Sequence, residues 1–402
     1  MDLLQQYRTD VQKELNSILD YWMTYSVDEG KGGFYGKIDN NNVPDVNAAK
    51  GSVLNARILW TFSSAMLLQP NEKYTSMATR AFDYIQAHFY DNEFGGVYWQ
   101  VDADGNPLNT RKQIYALAFC LYGMSEYFAA TKKISALNLS IELYNVIETH
   151  SFDNQYGGYF EAFARDWSPL DDLRLSAKDA NEKKTMNTHL HVIEAHCNLY
   201  KLWPDARLKQ KIITLLEIFD DHIVDKNSGH LNLFFDEQWD VKPDVISYGH
   251  DIEAAWLLQE CSEIVDDEHW INIMRQRAVA LTKAAAEGLD NDGGLWYEFE
   301  PSKNHLVKEK HWWPQAEAMV GFLNAWQLTG DEAFLQQSYN VWLFTKKYII
   351  DNDKGEWFWG IDNEHTIMPG QDKAGFWKCP YHNARACMEI VKRVQRGLTV
   401  SV

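Results

Sequence analysis

Residues 248–258, YGHDIEAAWLL, place a histidine and a glutamate three positions apart at the head of an apolar stretch. If this stretch is helical, His250 and Glu253 lie on one face of the helix, because side chains three residues apart are neighbours. The free N–H groups and partial positive charge of a helix N-terminus oppose protonation of an imidazole. His250 is therefore expected to be neutral at pH 7 and able to act as a base.

Five other stretches carry comparable side chains at the head of an apolar run. In chain order these candidates are Arg57 in LNARILW, Tyr115 in IYALAFC, Asn187, His191 and Glu194 in NTHLHVIEA, Trp312, Trp313 and Glu317 in HWWPQAEAM, and His382 in KCPYHNARACME. Within the third stretch, Asn187, His191 and Glu194 step by four and three residues and share a helix face. His189 lies about 200° around the helix from His191 and is expected to pack elsewhere.

Histidines, an arginine and glutamates around an aromatic pocket are suited to moving protons. A sugar carbon next to a carbonyl is weakly acidic, so removing its proton needs a base, and the resulting enediolate oxygen needs a donor. Two imidazoles on opposite faces of the sugar could take the proton from one side and return it to the other, which inverts the carbon. Arg57 could hold the developing oxyanion, because a guanidinium stays charged.

The composition restricts the partners of such a site. A net charge of −19 argues against a nucleic-acid backbone or an anionic membrane surface, and no apolar run is long enough to cross a bilayer. The pI of about 5.1 and the lack of a phosphate-cradling glycine loop favour a neutral sugar over a sugar phosphate. Cys379 and His382 have a C-x2-H spacing without a second half, so no metal site is expected.

The first ten residues lack the basic and apolar segments of a secretory signal, and the five cysteines are widely spread. We therefore expect a cytoplasmic protein with reduced thiols.

A glycine-containing turn recurs along the chain every 61 to 72 residues. Its six copies are DEGKGGFYG from Asp28, DNEFGGVYW from Asp91, DNQYGGYFE from Asp153, DKNSGHLNL from Asp225, DNDGGLWYE from Asp290 and DNDKGEWFW from Asp351. Aspartate, asparagine and glycine supply turn geometry, so the repeated aspartates are interpreted as turn formers rather than as a catalytic series. A near-constant period of this kind indicates a repeat architecture.

Each unit of the repeat contains two helical stretches. Those before the turns are mixed in polarity and cover about 3–25, 72–90, 134–150, 206–224, 266–288 and 332–350. Those after the turns are more apolar and cover about 50–68, 113–130, 185–202, 250–265, 314–329 and 381–396. Helices with one solvent-exposed face are interpreted as outer helices, and the more apolar ones as inner helices.

Six such pairs predict an all-α fold in which residues 1–402 form one domain. We expect a closed (α/α)6 barrel of six inner and six outer helices, with short β-hairpin-like turns. The N-termini of the inner helices would converge on one mouth and bring the candidate side chains together. The long loops 161–183 and 297–312 would rim this mouth.

The motifs LNARILW, GGVYW, NTHLHVIEA, YGHDIEAAWLL, WWPQAEAMVGF and KCPYHNARACME resemble, in order and across nearly the whole chain, the N-acylglucosamine 2-epimerase superfamily. They are most similar to its members that act on cellobiose or mannobiose. The resemblance implies an (α/α)6 barrel and cofactor-free epimerisation at C2 of the reducing-end sugar of a neutral β-1,4-linked disaccharide. We expect a monomer or a weak homo-oligomer.

The resemblance also assigns roles by motif. It implies that His250 and His382 form the acid/base pair, and that His191, Arg57 and Glu253 assist ring opening and hold the open chain. The implied substrate-binding residues are Trp313 and Trp377, which would stack on sugar rings, and Tyr115, Asn187 and Glu317, which would bind hydroxyls.

Four alternatives stay open at this point. A monosaccharide aldose–ketose isomerase or an N-acylglucosamine 2-epimerase would use related chemistry, and the isomerase would return the proton to C1. A glycoside hydrolase on the same barrel would need two carboxylates flanking a bond. A non-catalytic sugar-binding protein would keep the aromatic residues but need no histidine pair.

Overall fold

The computed structural model describes residues 3–242 and 245–399, and this part of the chain is mostly helical. Its α-helices are α1 (Leu3–Tyr25), α2 (Ser52–Leu68), α3 (Glu72–Tyr84), α4 (Ile114–Thr131), α5 (Ile134–His150), α6 (Met186–Tyr200), α7 (Ala206–Ile218), α8 (Tyr248–Val265), α9 (Glu268–Ala285), α10 (Trp312–Thr329), α11 (Glu332–Phe344) and α12 (Tyr381–Thr399). Each predicted helix is present, with boundaries within a few residues. Three outer helices end in a π-helical turn, namely Ile85–Phe89, Phe219–Ile223 and Thr345–Ile349.

The strands are only two or three residues long and lie in the connections. They are β1 (Lys50–Gly51), β2 (Gln100–Val101), β3 (Pro107–Asn109), β4 (Lys112–Gln113), β5 (Ala162–Phe163), β6 (Lys184–Thr185), β7 (Phe234–Phe235), β8 (Ile246–Ser247), β9 (Glu298–Glu300), β10 (His305–Val307), β11 (Lys310–His311) and β12 (Gly360–Ile361). Among the described residues, every helix is too short or too polar to span a lipid bilayer.

Burial separates the two sets of helices. Every residue of α4 from Ile114 to Tyr127 is buried, which requires neighbours on all sides. In α3 the buried residues are confined to a stripe, Tyr74, Met77, Ala78, Ala81, Phe82 and Tyr84. The even-numbered helices are therefore the inner set of the prediction and the odd-numbered helices the outer set.

The inner helices contact one another in chain order, α2 with α4, α4 with α6, α6 with α8, α8 with α10 and α10 with α12, and α12 returns to α2. Each inner helix also packs on an outer one: α12 on α1, α2 on α3, α4 on α5, α6 on α7, α8 on α9 and α10 on α11. The first helix of the chain thus packs on the last.

Backbone pairing links neighbouring units at the end where the inner helices begin. The strand before each of the first five inner helices pairs antiparallel with a strand of the next unit, namely β1 with β2, β4 with β5, β6 with β7, β8 with β9 and β11 with β12. Ala374, in the sixth unit, bridges to Ile38 in the first. This contact completes the cycle through residues 336 positions apart.

The repeated aspartates form turns, as the sequence predicts, and five of them also bind a lysine. Asp28 accepts backbone N–H groups from Gly30 and Lys31 with Oδ1, while its Oδ2 lies 2.9 Å from Nζ of Lys50. The other pairs are Lys112 with Asp91, Lys184 with Asp153, Lys310 with Asp290 and Lys373 with Asp351, at 2.6 to 2.7 Å. We call these five pairs the turn ring. In the fourth unit Ile246 occupies the place of the lysine.

Candidate active site

A cavity of about 490 Å³ lies at the N-terminal ends of the inner helices. Nine of the ten predicted site residues line it: Arg57, Tyr115, Asn187, His191, His250, Glu253, Trp313, Trp377 and His382. Residues 173–180 and Tyr297 border the same cavity, which places parts of both predicted rim loops there. Lys178 donates a hydrogen bond to Tyr297 and so joins the two loops across the cavity.

Each of the three cavity histidines uses Nδ1 to bind another protein group. Nδ1 of His382 lies 2.7 Å from Oε1 of Glu317, and Nδ1 of His191 lies 2.9 Å from Oε2 of Glu194. Nδ1 of His250 lies 2.8 Å from the hydroxyl of Ser247. Within residues 3–242 and 245–399, none of their Nε2 atoms bonds to the protein. All three rings therefore have a nitrogen free for a ligand.

The group that binds Nδ1 of each histidine, here called its anchor, determines the tautomer of the ring. A carboxylate only accepts hydrogen bonds, so His191 and His382 carry their proton on Nδ1 and present a lone pair at Nε2. A hydroxyl either donates or accepts, so Ser247 permits both neutral tautomers of His250. The cavity thus has one histidine with a neutral anchor and two with ionisable anchors.

Burial keeps these imidazoles neutral, because it disfavours the charged form. It lowers the pKa of His250 to about 3, helped by the nearby His191 and Lys178. Burial also lowers the pKa of His382, with further contributions from the charges of Arg57 and Arg385. The pKa of His191 is lowered by burial as well, although Glu194 opposes this. The expected neutral state of His250 thus follows mainly from burial rather than from the helix terminus.

Three buried glutamates from three inner helices surround one guanidinium beneath the cavity. Arg385 binds Glu194 with Nη1 at 2.5 Å, and binds both Glu253 and Glu317 with Nη2 at 2.7 Å. Burial raises the pKa of Glu253, and the neighbouring Glu317 raises it further. Although burial opposes it, the Arg385 charge and the bond from His191 hold the pKa of Glu194 at about 2.

The placement of Glu317 differs from its predicted role. This residue was expected to bind a sugar hydroxyl, but it is not among the residues that line the cavity. Its Oε1 binds His382 and Arg385, and its Oε2 accepts from Nε1 of Trp256 at 3.0 Å. Because protein groups occupy both oxygens, its position supports orienting His382 rather than contacting substrate.

Arg57 faces the cavity with an unpaired charge. Its Nη2 donates to the hydroxyl of Tyr115 at 2.7 Å, and its Cζ lies 4.2 Å from the centre of the Phe119 ring. In the described part of the chain, Arg57 forms no ion pair, and its buried Nε has no hydrogen-bond partner. A guanidinium held mainly by aromatic groups is available to an anionic ligand.

Aromatic rings form the walls between the histidines. The Trp313 ring lies 4.7 Å from that of His250 and 5.8 Å from that of His382, so it contacts both members of the predicted pair. Trp377 lies 5.8 Å from Tyr115. Trp312 also borders the cavity but is nearly fully buried and packs on Trp359 at 4.5 Å.

His189 packs in the protein, as its helix position predicts. Its Nδ1 binds the carbonyl of Thr185 at 2.7 Å, and its Nε2 accepts the backbone N–H of Tyr159 at 2.9 Å. Asp251 and Gln315 accept backbone N–H groups from the corresponding strands of the next two units. This position of the inner helix therefore caps a turn in three successive units.

Several cavity residues were not predicted. His311 stacks on Tyr297 with ring centres 4.0 Å apart, and both line the cavity together with Lys178. The only available signal was their place at the head of an inner helix or in a long loop. Arg385 was missed because its partners come from three other units.

Glu253, Glu317 and His382 have possible metal-ligating atoms within 4.8 Å of one another. The guanidinium of Arg385 lies 2.7 Å from an oxygen of each of the two glutamates and already places a positive charge between them. A metal ion at this point would lie against a fixed positive charge, so the donor set does not fit a metal.

Known proteins are similar to this chain over most of its length. Residues 33–386 match the N-acylglucosamine 2-epimerase (GlcNAc 2-epimerase) family. A cellobiose 2-epimerase of Bacteroides fragilis is 48% identical over 385 residues, which cover 96% of this chain and 98% of that protein. The structure of cellobiose 2-epimerase from Bacillus thermoamylovorans is 36% identical, with a TM-score of 0.92 over 97% of this chain and 100% of that one. A D-mannose isomerase structure, 21% identical with a TM-score of 0.84 over 96% of this chain and 98% of that one, shares the fold.

Proposed function

The chain belongs to the N-acylglucosamine 2-epimerase family and is a carbohydrate epimerase, and from this premise we propose that it inverts C2 of the reducing-end sugar of β-1,4-linked disaccharides. The substrates would be cellobiose, converted to glucosyl-mannose, or mannobiose, converted to mannosyl-glucose, or both. The similarity to cellobiose 2-epimerases over nearly the full length of both chains supports this substrate class.

One observation carries the proposal. His250 and His382 both contact Trp313, both bind the protein through Nδ1, and both have Nε2 free at the cavity. A sugar lying on Trp313 would present its ring carbons to these two nitrogens. Two imidazoles beside one carbon are the minimum set for inversion, because one takes a proton from one face with its lone pair and the other, once protonated at Nε2, returns one to the opposite face.

The reaction begins with opening of the sugar ring, which moves a proton from the C1 hydroxyl to the ring oxygen. His191 has its lone pair at Nε2 and is suited to accept the hydroxyl proton. The raised pKa of Glu253 keeps its carboxyl protonated near neutrality, so Glu253 can donate toward the sugar. Arg57 would hold the carbonyl oxygen of the open chain with its unpaired charge.

Epimerisation then proceeds through a cis-enediolate. One histidine of the pair removes the C2 proton, and the electron pair of the broken C–H bond moves toward C1, leaving negative charge on the C1 oxygen. Arg57 stabilises this oxyanion through charge-assisted hydrogen bonds. The other histidine, which has taken up a proton from water at Nε2, donates it to the opposite face of C2 while the C1 carbonyl forms again. The first histidine releases the proton that it took to water, and reclosure of the ring gives the epimer.

The remaining cavity groups would bind the sugars. We propose that Trp313 and Trp377 stack on sugar rings and that Tyr115 and Asn187 bind hydroxyls. A cavity of about 490 Å³ falls within the size range of small-ligand sites. The second sugar would extend toward the loop residues 173–180 and Tyr297.

We also propose that the fold is a closed (α/α)6 barrel of one domain. The return contact of α12 with α2 and the bridge between Ala374 and Ile38 support closure. The reacting groups all come from one chain, which suits a monomer or a weak homo-oligomer. Five free, buried cysteines suit the expected cytoplasmic location.

The test is incubation with cellobiose and with β-1,4-mannobiose, separately, in deuterated water, followed by proton NMR of the reducing-end sugar. We expect the C2 epimer with deuterium at C2, and the faster sugar identifies the preferred substrate. Unchanged disaccharide without deuterium would refute proton transfer at C2. A ketose product would indicate an isomerase, and free monosaccharides would indicate a hydrolase.

A further inference from the structure

Arg385 lies one helical turn after His382 on α12, and it contacts groups from three other inner helices. The side chain is 1% exposed and is not among the residues that line the cavity. Its Cζ lies 4.2 Å from the Tyr381 ring centre and 4.9 Å from that of Trp256, so aromatic rings hold the guanidinium in place.

The two terminal nitrogens of Arg385 lead to two different histidines. Nη1 binds Oε1 of Glu194, and the other oxygen of Glu194 binds Nδ1 of His191 at 2.9 Å. Nη2 binds Oε1 of Glu317, and this same oxygen binds Nδ1 of His382 at 2.7 Å. His250 has no such connection, because its Nδ1 binds Ser247.

We propose that Arg385 is a positioning residue that fixes the orientation and tautomer of His191 and His382 together, through Glu194 and Glu317. The proposal rests on the proposed function, in which both rings must present a lone pair to the sugar. A planar guanidinium can bind carboxylates with two nitrogens in fixed directions, whereas a lysine ammonium is a single point charge. A lysine therefore cannot replace both connections.

Arg385 also offsets part of the negative charge of the cluster. Three buried carboxyl groups surround it, and without its positive charge they would attract protons to the adjacent imidazoles. The presence of Arg385 contributes to the lowered pKa of His191 and of His382. Its removal is therefore expected to raise the pKa values of both histidines.

The first experiment compares the wild-type protein with Arg385→Lys by ¹⁵N NMR of the histidine rings, without substrate. In the wild type, His191 and His382 should be neutral at pH 7 with the proton on Nδ1. In Arg385→Lys we expect one or both rings to lose this pattern, while His250 stays unchanged as an internal control. Wild-type spectra for His191 and His382 in this variant would overturn the proposal.

Kinetics provide a second readout. Displacing a reacting group by about 1 Å can cost about 10²-fold in rate, so kcat of Arg385→Lys should fall by about this factor with KM nearly unchanged. In Arg385→Gln, which removes the charge, the acid limb of kcat/KM should also move to higher pH. An unchanged kcat in both folded variants would contradict the proposal.

Arg393→Lys is the matched control. Arg393 lies two turns further along α12 and binds Asn324 at 2.7 Å and Gln327 at 3.1 Å, away from the cavity. It should retain wild-type kinetics and histidine spectra. An equal loss in Arg393→Lys would assign the effect to α12 as a whole and overturn the specific role of Arg385.

Glu194→Gln keeps the test decisive if the Arg385 variants fail to fold. This change breaks the connection to His191 and leaves Glu317 in place, so only His191 should change its ring spectrum. Change in neither ring would overturn the proposal. Because the spectra need no turnover, failure of the epimerase function and failure of the positioning role are distinguishable.

Discussion

Two of the regions that bury charged groups, the turn ring and the site, arrange them differently. In the turn ring, each aspartate faces one buried lysine, and Lys50, Lys112 and Lys184 also donate to backbone carbonyls, as Lys50 does to Gly32 at 2.6 Å. In the site, the three buried glutamates Glu194, Glu253 and Glu317 share Arg385. The first arrangement pairs one aspartate with one lysine in five units, with Arg165 added at Asp91 and Asp292 added at Lys310. The second places three carboxyl groups around one cation and is built from four helices.

This difference separates a structural role from a chemical one. A balanced pair with its hydrogen bonds satisfied has no capacity left for a ligand and serves to fix a turn. The fourth unit has Ile246 in place of the lysine, and there Asp225 binds Ser228 and a backbone N–H group instead. In the unbalanced cluster, burial and the neighbouring Glu317 raise the pKa of Glu253, which favours its protonated form.

The largest expected effect is a loss of kcat on replacing a histidine of the site. Replacing either His250 or His382 by asparagine should lower kcat by about 10²- to 10⁴-fold, the usual contribution of a general acid or base. The thermal midpoint should change little, because both rings face the cavity. Steady-state assays with cellobiose and mannobiose, together with calorimetry, check both expectations.

The two histidine variants should also differ from each other in isotope exchange. Each retains one base, so each should exchange the C2 proton of one epimer with deuterated water while failing to invert it. The epimer exchanged by His250→Asn should be the one that His382→Asn leaves unexchanged. Exchange of the same epimer by both variants would refute the two-base scheme.

A smaller effect, on the free energy of unfolding, is expected on replacing a lysine of the turn ring. Lys50→Met leaves Asp28 buried without its partner, and breaking such a pair typically costs about 3–5 kcal/mol of the free energy of unfolding. The folded fraction should keep its kcat, because Lys50 does not line the cavity. Denaturant unfolding monitored by circular dichroism measures the loss.

Lys133→Met is the control for this prediction. Its pair with Asp83 is exposed, and such pairs contribute about 1 kcal/mol or less. If Lys50→Met unfolds no more easily than Lys133→Met, the turn ring is not a stabilising device. If Lys50→Met folds stably but loses activity, the separation of the two regions fails.

The helices and most of the site could be predicted from the sequence because their signals are local. Apolar runs of helical length give the inner helices, stretches of mixed polarity give the outer ones, and the head of each apolar run gives residues such as His191 and His250. The lysines of the turn ring were missed because a single lysine normally indicates a surface residue. Only their common place two residues before an inner helix distinguishes Lys50, Lys112 and Lys184.

Contacts between distant units left no local signal. The sequence places Glu317 at the head of α10 but does not tell whether its carboxylate faces the cavity or the neighbouring α12. Arg385 lies within a recognised motif, yet its partners are 68 to 191 residues away. The bridge between Ala374 and Ile38 likewise joins residues that are far apart in the sequence, so no local pattern predicts it.

The smallest expected effect is in the dependence of activity on pH. A base must be neutral, and an ordinary imidazole with a pKa near 6.5 would lose about tenfold of its neutral form between about pH 7.5 and pH 5.5. Because burial lowers the pKa values of His250 and His382, we expect nearly constant kcat/KM over this interval. Glu253 stays protonated at the lower end, since its pKa is raised.

The ion pairs of the turn ring should remain intact over the same pH interval, so a change in rate would not be caused by unfolding at the turns. The pKa of Asp28 is lowered despite its burial, because Lys50 and backbone N–H groups favour its charged form, so its stabilising effect is present above about pH 3.9 and is lost below. His189, with its pKa lowered to about 4 by burial, makes unfolding easier as the pH falls from about 6.5 toward 4, since the unfolded chain binds the proton more readily. Initial rates with a parallel unfolding curve at each pH separate the two processes. A tenfold fall in kcat/KM at pH 5.5 for protein that is still folded would show that the histidines of the site have ordinary pKa values. The site and the turn ring would then differ only in the geometry of their charged groups and not in how burial changes pKa values.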